Sequence, residues 1–290
     1  MIGVGIALVL LSAVLHAAWN FLVKRASASG ATFIFLFTIP AVVLLAPVAL
    51  LLIARQTFSF AAALPWLVGS AFIHTAYFLL LQRGYLHGDL SVVYPVARGA
   101  GPLLAALAAV VLFSERPSLL SAAGALAIIG GTVALALQSI QARTEANSGS
   151  RWRSVVYGLA VGAFIGVYTV WDKHLVTTLA VQPVVLEWLL SVSILLIVTP
   201  AVLRDRASLA ETWRRHRWTA LSGALLSSAS YILFLTALRI LPVTRAAPLR
   251  ESSVLIGAFL GARLLGEGKL GPRVTSATII MAGIILLSVG

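Results

Sequence analysis

Apolar residues run along this chain in ten long blocks separated by short polar stretches. The blocks cover residues 3–23, 32–54, 61–82, 90–113, 118–138, 152–172, 182–203, 218–238, 242–265 and 271–290. Each holds about 20 residues, the length an α-helix needs to cross a hydrocarbon core roughly 30 Å thick. The pattern therefore predicts an all-α membrane protein of ten transmembrane helices. The first block lacks a basic leader and a clear cleavage site, so it reads as a spanning helix and not as a removed signal peptide. One compositional break stands out: Gln141 to Arg153 is polar and carries Ser and Gly. It divides the blocks five and five, as a linker between two halves would. The other long stretch, Arg204 to Arg217, reads as a charged surface turn.

The two halves repeat. Shifting the chain by 152 positions lays Trp19 on Trp171, Arg98 on Arg250, Glu115 on Glu267 and Gly131 on Gly283, without a gap. Such self-similarity marks an internal duplication, with repeats at 3–138 and 152–290 and a linker at 139–151. Five helices per half is an odd number, so the second half enters the membrane from the opposite face. The expected architecture is a pair of inverted repeats, which in membrane transporters places a site between the halves.

Composition agrees with lipid as the solvent. Hydrophobic residues make up 60% of the chain and charged residues 10%, against about 25% charged in a soluble domain. The formal net charge of +12 invites a nucleic-acid reading. That reading fails, because the basic residues lie in short loops and form no face interleaved with aromatics. Cysteine is absent, which removes disulfides, thiolate metal sites and thiol nucleophiles. No GxxxxGK[ST] motif occurs, so any transport draws on an ion gradient or on the substrate's own. No cofactor is expected.

The loop charges also speak to orientation. Of 21 Lys and Arg residues, Arg98 and Arg250 lie inside blocks. Arg55, Arg116, Lys173, Arg239 and Arg245 fall on the side of the termini, and the others on the opposite side. Basic loops stay in the cytoplasm, so the count puts both termini outside it.

His16, Trp19, Asn20 and Lys24, then Tyr94, Pro95, Arg98 and Pro102 ending at Ser114, Glu115, Arg116 and Pro117, resemble the EamA domain. That domain defines the ten-helix branch of the drug/metabolite transporter superfamily. Trp171, Asp172 and Lys173, then Pro248, Arg250, Glu251, Ser252 and Ser253, then Gly266 and Glu267 resemble its second copy. The resemblance spans residues 3–290. It implies a secondary transporter of small metabolites, often an amino-acid exporter, with a central site between the halves. It also implies termini in the cytoplasm, opposite to the charge count.

Arg98 and Arg250 each lie about nine residues into their block, roughly 13 Å deep at 1.5 Å per residue. A charge at that depth is a functional hypothesis by default; the alternative is a structural ion pair with Glu251 or Glu187. Arg98, with no adjacent acid, is expected to meet the negative group of a substrate. Pro95, Pro102 and Pro248 free backbone carbonyls, which at membrane depth face protein or a wet cavity. His16, Trp19 and Asn20 share one helical face, which Tyr168, Trp171 and Asp172 repeat; each stripe is either packing or a cavity wall. Asp172 also fits an interfacial position beside Lys173. His74 with Tyr77, Ser227 with Ser230 and Tyr231, and Tyr94 and Trp188 are further wall candidates. Glu187 is either a proton carrier, an amine ligand or an acid reaching interfacial water. Glu115 and Glu267 fit loop anchoring. Gly130, Gly131, Gly257, Gly261 and Gly283 are expected to let helices approach closely.

The function expected is secondary active transport of a small polar metabolite, amino-acid-like or an organic anion, across a bacterial inner membrane. Arginine suits a carboxylate or phosphate, an acid suits an amine, and aromatic faces suit cations. Its partners would be the substrate, the bilayer and a proton or other ion. The alternative class, a membrane enzyme acting on a lipid-borne substrate, wants an acid or His cluster, and no such spacing is present.

Overall fold

The computed structural model describes residues 1–25, 30–87, 90–141, 148–204, 207–264 and 270–290. These form helices α1 (Ile2–Arg25), α2 (Ala31–Ala54), α3 (Phe60–His87), α4 (Leu90–Leu112), α5 (Leu119–Gln141) and α6 (Ser148–Thr177). The chain continues through α7 (Pro183–Arg204), α8 (Ala207–Leu238), α9 (Val243–Arg250), α10 (Ser252–Leu264) and α11 (Leu270–Val289). No strand occurs among the described residues. Six helices, α1–α3 and α6–α8, are long and apolar enough to cross a membrane, with shorter apolar stretches in α4, α5 and α11. Phe72, Val111 and Leu196 point outward, which suits lipid and would be a liability in water. The protein is an all-α, multi-pass membrane protein.

Two expectations need correction. The block 242–265 is not one helix: it breaks at Glu251. Pro248 has no N–H to give to the preceding turn, and the ladder tightens to three-residue steps. Glu251 N donates to Pro248 O and Val254 N to Glu251 O, both at 2.9 Å. Nor is the stretch from Arg204 to Arg217 a turn. From Ala207 onward it forms the first turns of α8, where good helix formers are joined by an exposed Glu211–Arg215 pair at 2.7 Å, the i,i+4 spacing that supports a helix.

Helix packing follows the 152-residue shift. α1 packs on α8 as α6 packs on α3, and α10 lies on α1 as α4 lies on α6. α2 meets α7 and α5 meets α11, pairs that the shift maps onto themselves. The α5–α11 contact is reciprocal. A Cβ on Gly131 would sit 2.7 Å from Ile280 Cγ1 and 3.1 Å from Ser276 O. One on Gly283 would sit 2.8 Å from Ile128 Cγ1 and 2.7 Å from Gly124 O. Every partner here is displaced by 152 positions, and partner numbers fall in α11 as they rise in α5, so the two helices run antiparallel. Gly130 and Gly257, by contrast, have nothing within 4 Å of an added Cβ and meet no helix closely among the described residues. Gly158, Gly162 and Gly166 do that instead, with Cβ positions 2.7–3.0 Å from Val96, Ala100 and Leu104. There α6 runs parallel to α4.

The buried core is uneven along the bundle. Its largest cluster contains Val9, Ala49, Ala63, Ala109, Leu175, Val181, Leu238 and Val243. These belong to the start of α1, the end of α2, the start of α3, the ends of α4, α6 and α8, the α6–α7 connection and the start of α9, which all lie at one end. That end is further tied by side chains. Lys173 Nζ donates to the carbonyls of Leu238 and Leu241 at 2.5 and 2.8 Å. The Glu115 carboxylate accepts from Val243 N and Thr244 N at 2.7 and 2.9 Å. An acid on the first N–H groups of a helix and a cation on last carbonyls both complement the helix dipole. Toward the other end only small clusters remain, around Phe33 and Leu36 and around Ala97 and Val161.

Candidate functional site

Where the large cluster stops, a cavity of about 190 Å³ begins. At roughly 30 Å³ per water, it has room for a handful of waters or one small solute. Both halves line it: α1 with His16 and Trp19, α2 with Phe37 and Thr38, α3 with His74 and Tyr77, and α6 with Tyr168. α7 adds Glu187 and Ser191, α8 adds Ser227, Ser228 and Tyr231, and Arg250 closes α9.

Arg250 owes its place to the break at Glu251, which makes it the last residue of α9, where a cation meets the negative end of the helix. Its guanidinium lies 4.2 Å from the ring centre of Phe234 and 5.5 Å from that of Tyr231, within cation–π range. Its Nε is buried without a hydrogen-bond partner, as is Nε1 of Trp19. Two unsatisfied donors thus stand on residues that line one cavity, a costly arrangement unless an acceptor arrives. Glu187 carries the opposite charge. It is 9% exposed, lines the cavity together with Ser191 and Ser228, and no ion pair joins it to Arg250 among the described residues.

Behind this wall sits a second polar group. Asp172 is 1% exposed and His74 15%, with Nε2 of the histidine 2.9 Å from Asp172 Oδ2. Ser70 Oγ donates to Oδ1 at 2.6 Å, and the Tyr231 hydroxyl donates to Oδ2. The His74 ring stacks on Tyr168, with centroids 4.4 Å apart.

Of the residues singled out by sequence, His16, Trp19, His74, Tyr77, Tyr168, Glu187, Tyr231 and Arg250 stand on the cavity wall. Arg98 and Glu251 do not. Arg98 Nε lies 3.0 Å from Glu251 Oε2, and its Nη2 donates to Ser253 Oγ at 3.0 Å, the ion-pair alternative that the sequence left open. Asn20 turns back to the carbonyl of His16 at 2.7 Å. Trp171 donates to the Trp66 carbonyl at 2.8 Å and Trp188 to that of Val42 at 3.0 Å. The side chain of Tyr94 and all of Glu267 lie outside the described residues. Sequence reading missed Ser70, Phe37, Thr38, Ser191 and Ser228. Ser70 had a signal: it stands one turn before His74 on the same helical face.

Residues 152–289 match the EamA-like transporter family. This half of the chain belongs to that family. The EamA half supplies Tyr168, Asp172, Glu187, Tyr231 and Arg250, most of the charge around the cavity. Proteins of this family are generally transporters and not enzymes. No curated protein matches the chain. Among 29 matching chains of known structure, one crystal structure of a protein aligns over 97% of this chain and 95% of its own. The TM-score is 0.71 and the identity 18%, a likeness that shows the fold alone.

Proposed function

We propose that this EamA-family protein is a secondary transporter that carries a small amino-acid-like zwitterion across a bacterial inner membrane by alternating access. Its ten spanning segments would form two inverted five-helix repeats, residues 3–138 and 152–290. The reciprocal, antiparallel α5–α11 contact supports an axis in the membrane plane. Such an axis lets one site open in turn to either side.

The observation that carries the substrate class is the pairing of charges in one cavity. Arg250 offers an unpartnered N–H beside that of Trp19, and Glu187 faces the same space without neutralising it. A carboxylate can accept from the guanidinium while an ammonium group meets Glu187. The end of the bundle tied by Glu115 and Lys173 is closed, and in the exchange it would open as the other end closes.

Counterflow tests this reading. Proteoliposomes loaded with an unlabelled compound should accumulate the same labelled compound when it is an L-amino acid. They should do so less with organic anions or quaternary amines. Arg250→Ala should abolish the exchange at normal membrane insertion. A panel in which nothing exchanges would refute the transport reading; exchange of anions alone, unaffected by Glu187→Gln, would replace the zwitterion by an anion.

A further inference from the structure

Two arginines face three carboxylates at the centre of the bundle. Arg98 is neutralised by Glu251. Arg250 and Glu187 share the cavity, and a zwitterion bound between them leaves their balance unchanged. The third carboxylate, Asp172, is the most buried of the three. It has no arginine or lysine partner among the described residues. Its donors are two hydroxyls and one imidazole. Counted formally, with acids as carboxylates and histidines neutral, two arginines stand against three acids, and Asp172 is the acid with no arginine beside it or across its cavity among the described residues. An uncompensated charge is what a low-dielectric, closed intermediate tolerates least.

We infer that the Asp172–His74 pair is the proton-binding site that couples transport to a proton gradient, with Tyr231 linking it to the substrate cavity. The inference rests on the transport reading above. One proton leaves water on one side of the membrane, is held by the pair, and returns to water on the other side. Only N–H and O–H bonds form and break. His74 is the entry point, because it reaches the cavity while Asp172 stands behind it.

The geometry ties this site to the helices that must move. Asp172 and its partners Ser70 and His74 lie on α6 and α3, which pack together; Tyr231 lies on α8, which packs with α1 and α2. The Tyr231–Asp172 hydrogen bond thus crosses between the two groups of helices. The same tyrosine ring lies against Arg250. A proton on the pair weakens the pull of Asp172 on the Tyr231 hydroxyl, and substrate at Arg250 acts on the other face of that ring. The other titratable or charged groups around the site are Tyr168 on α6, Tyr77 on α3, His16 on α1, Glu187 on α7 and Arg250 on α9. Duplication does not require the cluster. The positions equivalent to Asp172, His74 and Tyr231 are Asn20, Leu226 and Leu79, none of which takes up a proton.

The test uses the full chain in proteoliposomes containing the pH dye pyranine, with the L-amino acids of the counterflow panel as probes. Adding an exchanged amino acid at equal pH should shift internal pH, and an imposed pH gradient should drive its accumulation. In Asp172→Asn both should fall to the protein-free level while counterflow persists. His74→Gln should lose the pH signal as well, and serves where Asp172→Asn fails to insert. Asp172→Glu, which keeps the acid, should retain part of the signal. No counterflow by the wild-type chain would overturn the transport reading and this one with it. Counterflow without proton movement in the wild type would overturn coupling alone. Proton movement that survives in inserted Asp172→Asn but is lost in Glu187→Gln would move the site to Glu187 and refute the assignment.

Discussion

Arg98 and Arg250 are related by the 152-residue shift of the sequence, yet their replacement should have opposite consequences. Arg98→Met leaves Glu251, only 3% exposed, without its counter-ion. Removing one partner of a buried pair costs about 3–5 kcal/mol. At ~1.4 kcal/mol per factor of ten, that lowers the folded-to-unfolded ratio by about two to four powers of ten. Replacing both partners, as in Arg98→Met with Glu251→Met, removes the stranded charge and should restore most of the loss. Arg250→Met gives up two ring contacts worth about 0.5–2 kcal/mol and relieves a buried, unpartnered Nε whose cost is about 1–3 kcal/mol. These effects nearly cancel, so stability should stay within about 1 kcal/mol while transport is lost. Unfolding by SDS titration in mixed micelles, followed by helical circular dichroism, reads the first quantity; counterflow reads the second. An Arg98→Met protein as stable as the wild type, or an Arg250→Met protein that unfolds like Arg98→Met, would refute the assignment of one arginine to structure and the other to substrate.

The α5–α11 seam gives a sharper packing test. Gly131→Ala and Gly283→Ala should each lower stability by about 1–3 kcal/mol through overpacking, whereas Gly130→Ala, with open space around its Cβ, should be neutral in the same SDS titration. Glu115→Ala removes the acid that holds the first N–H groups of α9 and should cost about 1–2 kcal/mol. Glu115→Gln should recover part of that, and no loss in either would remove the clamp from the closed end. For orientation, a cytoplasmically active reporter fused after Gly290 should be silent and a periplasmic one active, as the loop charges direct. The reverse result would favour the topology implied by the family resemblance.

What the sequence showed and what it hid have physical reasons. Six of the ten expected spans reappear as helices long and apolar enough to cross a membrane, legible because lipid leaves little choice of composition over about 20 residues. Most of the cavity wall was legible too, since polar and aromatic side chains such as His74 and Tyr231 recur at helical spacing inside apolar blocks. Asp172 was placed at the end of its block because hydropathy falls at Lys173. In the fold α6 continues to Thr177, and Lys173 satisfies its charge on carbonyls of α8. Asp172 is consequently one turn inside the bundle. Glu251 as the partner of Arg98 was one of two acids the sequence offered, and only the fold brings positions 153 residues apart together. The glycine pattern misled in a different way. Gly257 carries the familiar spacing with Gly261, whose surroundings lie outside the described residues, yet an added Cβ on Gly257 meets nothing within 4 Å. Gly158, Gly162 and Gly166 do meet a helix.

The 152-residue shift lays Arg98 on Arg250, and a single neighbouring position separates their surroundings. Glu251 follows Arg250; its equivalent after Arg98 is Gly99. An acid at position 99 has no room, because an added Cβ there would collide with Val133. Position 251 thus supplies an acid that position 99 does not, and that acid meets Arg98, 3.0 Å away. Neighbours along a helix do not face each other, so Glu251 does not neutralise Arg250 beside it. The exchange across the interface gives Arg98 an acid at 3.0 Å and leaves Arg250, on the cavity wall, with no ion pair among the described residues. Two identical halves would have produced two equivalent cations and a site with no direction. One glycine-to-glutamate difference leaves Arg250 without an ion pair among the described residues, on a cavity that Glu187 also lines, the asymmetry that the proposed zwitterion substrate would use.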